Sequence, residues 1–282
     1  MAEIAYVNGR FMPLEEAVVP IEDRGFQFAD GVYEVLATYS GKPYAIEPHF
    51  VRLERSLDAL NIPFDMAAYG LGAKVEEGIG LGGFDETLVY IQVTRGVAPR
   101  HHEFPEGDTE PTVVMTFKRL RRPPDPLYES GVKAISTPDL RWKRCDIKSI
   151  SLLANILAKQ EAHAAGAFEA LLVNEEGHVT EGSSTSSFCV HGGRIWTTEA
   201  GPHILPSITR GILLELAAEI KVEVVQRPCS LDDYLQADEV FLAGTTTEAM
   251  PVVEIDGTQI GDGRPGDVTR RLREAFLRTR EQ

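Results

Sequence analysis

The sequence predicts a chain of α+β or mixed α/β class, arranged in two domains. Three observations carry this expectation. Strand-like and helix-like segments alternate, yet tight turns recur between neighbouring strands, so the sheets are expected to be mixed or antiparallel. A basic, proline-rich stretch, Arg119–Pro126 (RLRRPPDP), interrupts the alternation, and proline continues neither a helix nor a central strand. The length of 282 residues also exceeds the roughly 150 of a single average domain. The boundary is placed near residue 122, giving a smaller domain over 1–121, a linker over 122–127 and a larger domain over 128–282.

The elements follow in order. Asn8-Gly9 between IAYV and RFMP suits the positive φ angles of a two-residue hairpin turn. Val32–Tyr39 (VYEVLATY) alternates as a strand, and Ser40-Gly41-Lys42 is expected to turn it back into PYAI. Phe50, Leu53, Leu57 and Leu60 recur at helical spacing. Thr87–Arg95 and Thr112–Lys118 are rich in β-branched residues and read as strands. After the linker, Val132–Ser136 reads as a strand, and a helix is marked by Leu152, Leu153, Ile156 and Leu157, with Gly166 as its stop signal. Ala170–Asn174, Phe188–His191 and Arg194–Thr198 are strand-like, with turns at Glu176-Gly177 and Gly192-Gly193. Ser207–Ile220 is an amphipathic helix, Val240–Ala243 and Val252–Ile255 are short strands, and Val268–Arg278 is a closing helix.

Composition narrows the function classes. The formal charge is −15 and the sequence pI about 4.9, a balance that repels phosphate backbones and makes nucleic acid an unexpected partner. No apolar run approaches the ~20 residues of a bilayer span, and Met1–Gly9 lacks a basic run followed by an apolar one. The three cysteines, Cys145, Cys189 and Cys229, are distant in sequence and odd in number. That argues against a disulfide framework or a cysteine-based zinc site, and a reducing cytoplasm is the expected setting.

Several segments carry chemistry-bearing residues. Lys148 sits between a strand and an apolar helix. Most lysines are solvated, but a desolvated one at such a junction loses its proton more readily and becomes a nucleophile able to form a Schiff base. Glu181 precedes the hydroxyl-rich run Gly182–Ser187, compatible with a flexible turn and equally with a hydrogen-bonding shelf for a polar ligand. Pro206–Gly211 reads as a helix start, where Ser207 and Thr209 serve either as caps or beside an anion held by the first N–H groups. Gly244–Thr247 follows a strand and offers further donors, or is simply a polar loop. Arg100 and His102 lie two residues apart, a solvated loop by default and a carboxylate clamp if supported. His101 and His102 lack a recognised zinc spacing, so no metal is expected. Tyr33 is by default a half-buried strand tyrosine.

Taken together these segments resemble a known family. The motifs, in collinear order, are Asp23–Val35 (DRGFQFADGVYEV), Gln92–Gly96 (QVTRG), Pro99-Arg100, His102–Pro105 (HEFP), Arg144–Ser149 (RCDIKS), Leu157–His163 (LAKQEAH), Thr180–Ser184 (TEGSS) and Leu205–Arg210 (LPSITR). They are similar to the fold-type IV pyridoxal-phosphate enzymes and, within them, to D-amino acid transaminases. The resemblance implies a two-domain transaminase fold. It also implies a ping-pong transfer of the amino group of a D-amino acid such as D-alanine to a 2-oxo acid such as 2-oxoglutarate or pyruvate. Lys148 matches the lysine that forms the internal aldimine with pyridoxal 5'-phosphate and shuttles the proton, the cofactor passing through its pyridoxamine form. Glu181 matches the partner of the pyridine nitrogen, and Arg52 the phosphate-binding arginine. Ile208, Thr209, Thr245 and Thr246 match further phosphate ligands, and Leu205 the apolar residue beside the ring. Tyr33, Arg100 and His102 match the groups that trap the substrate carboxylate. In that family the arginine–histidine loop reaches over from the other subunit, which implies a homodimer. Ser151, Ser186 and Ser207 depart from the family's frequent Asn, Asn and Gly. The same scaffold also serves branched-chain L-amino acid and (R)-amine transaminases and aminodeoxychorismate lyases. The Arg100–His102 pair argues against the two transaminase alternatives.

Overall fold

The structure, a computed structural model, describes residues 1–107 and 109–280. The chain divides into two compact units, residues 1–121 with 147–151, and residues 122–146 with 152–280. The sequence division at 122 assigns all of 128–282, Lys148 included, to the second domain. The structure corrects this for 147–151. That segment pairs its backbone with unit 1: Tyr33 N–H donates to Lys148 O at 2.9 Å and Ile150 N–H to Gly31 O at 3.1 Å. These bonds depend on tertiary placement and leave no trace in hydrophobic periodicity. The expected linker 122–127 also runs into a short helix that begins at Asp125.

Unit 1 contains β1 (Ile4–Val7), β2 (Arg10–Pro13), α1 (Arg24–Phe28), β3 (Gly31–Tyr39), β4 (Lys42–Pro43), α2 (Ile46–Ala59), α3 (Met66–Tyr69), α4 (Leu71–Gly82), β5 (Thr87–Thr94) and β6 (Thr112–Arg119). Its six strands form one antiparallel sheet in the order β2-β1-β6-β5-β3-β4. Asn8 and Gly9 take φ of 42° and 96°, as the hairpin turn requires. The expected return strand PYAI is cut short. Lys42 and Pro43 pair and Tyr44 N–H still reaches Ala37 O at 2.9 Å, before Ala45 turns left-handed at φ 52° and Ile46 starts α2. Leu53 and Leu57 of α2 and Val75 and Ile79 of α4 join Val32, Leu36, Val89, Ile91 and Phe117 in one core. The four glycines of α4 read against a helix. Gly78 has a packing reason, since a Cβ there would lie 2.1 Å from the Phe117 ring.

Unit 2 contains α5 (Asp125–Ser130), β7 (Val132–Pro138), α6 (Leu153–Ala164), β8 (Glu169–Val173), β9 (His178–Gly182), β10 (Ser186–His191), β11 (Arg194–Thr197), α7 (Ile208–Glu219), β12 (Val224–Gln226), β13 (Cys229–Ser230), α8 (Leu231–Leu235), β14 (Glu239–Gly244), β15 (Glu248–Ile255), β16 (Thr258–Gln259) and α9 (Asp267–Thr279). The strands run β12-β11-β10-β14-β15-β7-β8-β9-β13 in one mixed sheet, with β16 on β15. The β15–β7, β7–β8 and β11–β12 pairs are parallel and the others antiparallel. Leu171, Val179, Leu242, Met250 and Val252 anchor its core, which also holds Cys189 and Cys229. All three cysteines are free and buried. Among the described residues no helix is long and apolar enough to cross a membrane.

Candidate active site

In unit 1 the strand alternation of β3 divides its residues by face. Val32, Glu34 and Leu36 are buried, and Glu34 is fully so. A carboxylate at an inward strand position needs cationic or hydrogen-bonding partners. Helix α2 supplies both. Arg52 donates through Nε to Glu34 Oε1 at 2.7 Å and through Nη2 to Oε2 at 2.8 Å, a bidentate pair. His49 Nδ1 lies 2.7 Å from Oε2, and since a carboxylate only accepts, Nδ1 carries the proton. Burial alone would raise the Glu34 carboxyl, but the bonds from Arg52 and His49 outweigh it and hold it down at about 2. Burial pushes His49 below its ordinary value, so its ring is neutral at neutral pH. Arg52, a predicted phosphate ligand, thus has its guanidinium plane fixed by Glu34.

Lys148 is half-buried. Its N–H donates to Ser56 Oγ of α2 at 3.2 Å, and its ammonium lies 4.2 Å from the Tyr33 ring centroid. Tyr33 stacks on Tyr90 of β5, at 5.6 Å between centroids and 27° between planes. Tyr90 in turn donates to Gln92 Oε1 at 2.6 Å, and burial pushes its hydroxyl up to about 12. The structure therefore brings Lys148 and Tyr33 together. Arg100 and His102, both exposed, are brought together on Phe28 of α1: the Arg100 guanidinium lies 4.7 Å from its ring centroid and the His102 ring 5.6 Å away, edge-on.

In unit 2, Glu181 stands near the end of β9, a strand that the hydroxyl-rich sequence hides. Its carboxylate accepts from Arg141 and from the Leu205 N–H at 3.2 Å. Arg141 is gripped by Asp139 through Nε at 2.9 Å and Nη2 at 2.7 Å, and Thr180 Oγ donates to Asp139 at 2.7 Å. Burial pushes the Glu181 carboxyl up, against the pull of Arg141. Burial also works against the Arg141 charge, yet Asp139 and Glu181 hold that arginine above its ordinary value. Sequence reasoning missed Arg141 and Asp139. Their only signal is a charged pair a few residues past the predicted strand Val132–Ser136.

The run after Glu181 is an ordered turn. Fully buried Glu169 accepts from Ser184 Oγ at 2.9 Å, Thr185 Oγ at 3.0 Å and also from Ser183. Ser186 begins β10 and pairs with Ala243 of β14, which brings this turn beside Gly244–Thr247. Thr245 and Thr246 are half-buried in that second turn, closed by Thr247 N–H to Gly244 O at 3.1 Å. Helix α7 starts at Ile208, with Ser207 accepting from the Arg210 N–H at 3.2 Å. The N–H groups of Ile208 and Thr209 are the first of the helix and lack intrahelical acceptors. Of the departures noted in the sequence, Ser207 is thus a cap and Ser186 a strand residue. Among the described residues no cluster of His, Cys, Asp and Glu is suited to a metal ion.

The chain belongs to the amino-transferase class IV family, whose model matches residues 31–255. It is 40% identical over 269 residues to the D-alanine aminotransferase of Bacillus licheniformis, covering 95% of this chain and 94% of that one. Among solved structures it matches Escherichia coli branched-chain amino acid aminotransferase with a TM-score of 0.91 at 25% identity, over 98% of this chain and 94% of that one. The branched-chain amino acid aminotransferase of Thermobaculum terrenum, solved in its PLP-bound holo form, matches with a TM-score of 0.84 at 25% identity, over 98% and 93%.

Proposed function

We propose that this protein is a pyridoxal 5'-phosphate-dependent transaminase that moves the amino group of a D-amino acid such as D-alanine to a 2-oxo acid. The observation that carries the choice of D-amino acid is the full-length relationship to a D-alanine aminotransferase. The Arg100 guanidinium and the His102 ring, gathered on the one Phe28 ring, support it. The side chains suit the cofactor. A phosphate dianion matches the first N–H groups of α7, with the Thr209 hydroxyl, Thr245, Thr246 and Arg52 as further donors. A protonated ring nitrogen would match the Glu181 carboxylate, with Leu205 as the apolar residue that would lie beside the ring.

When bound, the cofactor supplies an aldehyde for the amino group and an electron sink for the negative charge released at the substrate Cα. The chain's residues do the rest. Lys148 offers its amine as nucleophile and carries the proton away from the substrate Cα. Arg141 orients the Glu181 carboxylate, with Asp139 fixing the guanidinium. Tyr33, Arg100 and His102 hold the substrate carboxylate on a protein that is otherwise strongly acidic. A homodimer belongs to the same reading. Exposed apolar side chains support it: Val18, Ile21 and Phe26 in unit 1, and Leu153, Ile156 and Leu157 along α6 in unit 2. The free, buried cysteines support a cytoplasmic setting.

The test is transfer from D-alanine to 2-oxoglutarate, followed as pyruvate formed, in the wild type and in Arg100→Ala. The wild type is expected to be active with parallel double-reciprocal plots. Arg100→Ala is expected to raise the KM for 2-oxo acid at least about tenfold, the cost of a lost charged hydrogen bond of roughly 1.5–3 kcal/mol, with cofactor absorbance unchanged. An inert wild type would remove the reading, and an unchanged KM would remove the clamp. The likeness to the branched-chain aminotransferases favours one second reading, the same chemistry on a branched-chain L-amino acid.

A further inference from the structure

The clamp residues sit on an exposed loop, and a long arginine side chain on such a loop samples many rotamers unless something packs against it. Three observations within unit 1 converge on what does so. First, the Phe28 ring is flanked by the guanidinium of Arg100 at 4.7 Å, the ring of His102 at 5.6 Å and the guanidinium of Arg24 at 4.9 Å from its centroid. Second, buried Arg24 donates through Nη1 to His101 O at 2.7 Å and through Nη2 to His102 O at 3.5 Å, so it holds the loop backbone between the two clamp side chains. Third, Asp30 accepts from Arg24 Nε at 2.8 Å and from Arg95 Nε at 2.8 Å. Arg95 closes the far side of the loop by stacking on Phe104 at 3.6 Å and donating to Leu60 O at 2.7 Å and Asn61 O at 2.8 Å. The stem is tied as well, through Arg24 N–H to Gly96 O at 2.9 Å and Thr94 Oγ to Asp23 Oδ2 at 2.9 Å. Gly25 permits this approach, since a Cβ there would lie 2.2 Å from Thr94 Cγ2.

We propose that Phe28 and Arg24 are positioning residues for substrate carboxylate binding: Phe28 fixes the side chains of Arg100 and His102, and Arg24, braced by Asp30, fixes the backbone that carries them. The proposal rests on the reading of Arg100 and His102 as the carboxylate clamp. Neither positioning residue touches the reacting atoms. Their loss is therefore expected in KM for the carboxylate substrates, with turnover at saturation and cofactor retention preserved.

The experiment uses the holoenzyme and compares wild type, Phe28→Leu, Phe28→Tyr, Arg24→Lys, Arg100→Ala and the Phe28→Leu/Arg100→Ala double variant. Phe28→Leu keeps apolar bulk and removes the aromatic face. It is expected to raise the KM for pyruvate about three- to tenfold, as loss of a cation–π and an aromatic contact implies, with kcat within about twofold and visible cofactor absorbance unchanged. Phe28→Tyr is expected to restore wild-type KM. Arg24→Lys keeps the charge but loses the fork that spans two carbonyls, and is expected to raise KM in the same way. In the double variant Phe28→Leu is expected to add little to Arg100→Ala, because its effect runs through that arginine. A wild-type KM in Phe28→Leu beside a raised KM in Arg100→Ala would overturn the positioning role and leave the clamp standing. Additive effects in the double variant, or a fall in kcat without a change in KM, would overturn it equally. An unchanged KM in Arg100→Ala would remove the clamp reading itself and the proposal with it.

Discussion

Lys148→Ala is expected to lose transamination by roughly a thousandfold or more, because the change removes both a nucleophilic amine and a positioned proton carrier whose part alone is typically worth about 10²–10⁴. The loss is expected without unfolding. Two of the bonds that tie Lys148 to its surroundings are made by its backbone: its N–H reaches Ser56 Oγ and its carbonyl accepts from Tyr33. Alanine keeps both. The side chain contributes a half-buried contact with the Tyr33 ring. Thermal unfolding and single-turnover kinetics on the purified variant check this together. A folded variant with wild-type turnover would remove Lys148 from the chemistry. An unfolded one would show that the segment 147–151 holds unit 1 together through more than these bonds.

The second large effect concerns stability. Glu34→Ala is expected to cost about 3–5 kcal/mol, since it leaves the Arg52 guanidinium and the His49 N–H buried without their acceptor. Glu34→Gln keeps the shape and loses the charge, and a smaller cost is expected. Acid provides an independent check. The Glu34 carboxyl lies at about 2 in the folded protein against an ordinary 4.5. A depressed carboxyl stabilises the fold fully above the ordinary value, and that stabilisation, about 3 kcal/mol for this shift, fades as pH falls from about 4.5 to about 2. Urea unfolding of wild type and Glu34→Gln across this range is expected to show a stability gap that narrows with acid. A gap independent of pH would mean that Glu34 is not held as the charged partner of Arg52. Since Arg52 is a proposed phosphate ligand, Glu34→Gln is also expected to bind the cofactor more weakly.

Sequence pattern located much of the scaffold for identifiable reasons. Asn8-Gly9 supplied the φ angles its hairpin needs, and β5 and β6 carry the β-branched residues of buried strands. Strand β9 was hidden because Val179 is its one large apolar residue and the buried residues that follow it are polar. Thr180 and Glu181 are buried yet satisfied by Asp139, Arg141 and the Leu205 N–H, partners that hydrophobic alternation cannot register. Helix α4 was hidden by its glycines, whose cost is offset by the packing of Val75 and Ile79 and by the close approach at Gly78. The proposed site residues were legible through a resemblance spread over collinear motifs. Their supports were less so. Glu34 had a usable signal, a carboxylate at an inward position between Val32 and Leu36, which demands a cation. Arg141 had only a nearby acid, Asp139, and Arg24 had no signal of this kind, because a surface-type residue becomes a buried tether only once the fold brings a carboxylate or a carbonyl to it.

The central claim is that the amino donor is a D-amino acid, and a half-reaction tests it most directly. The purified protein loaded with pyridoxal 5'-phosphate, with no acceptor acid present, is mixed with D-alanine, with L-leucine and with (R)-1-phenylethylamine, and the visible absorbance of the bound cofactor is followed as the amino group transfers to it. Rapid bleaching by D-alanine, with the other two slow, is the predicted result. Bleaching by L-leucine or the amine while D-alanine leaves the spectrum unchanged would contradict the D-amino acid reading and remove Arg100 and His102 from the substrate site.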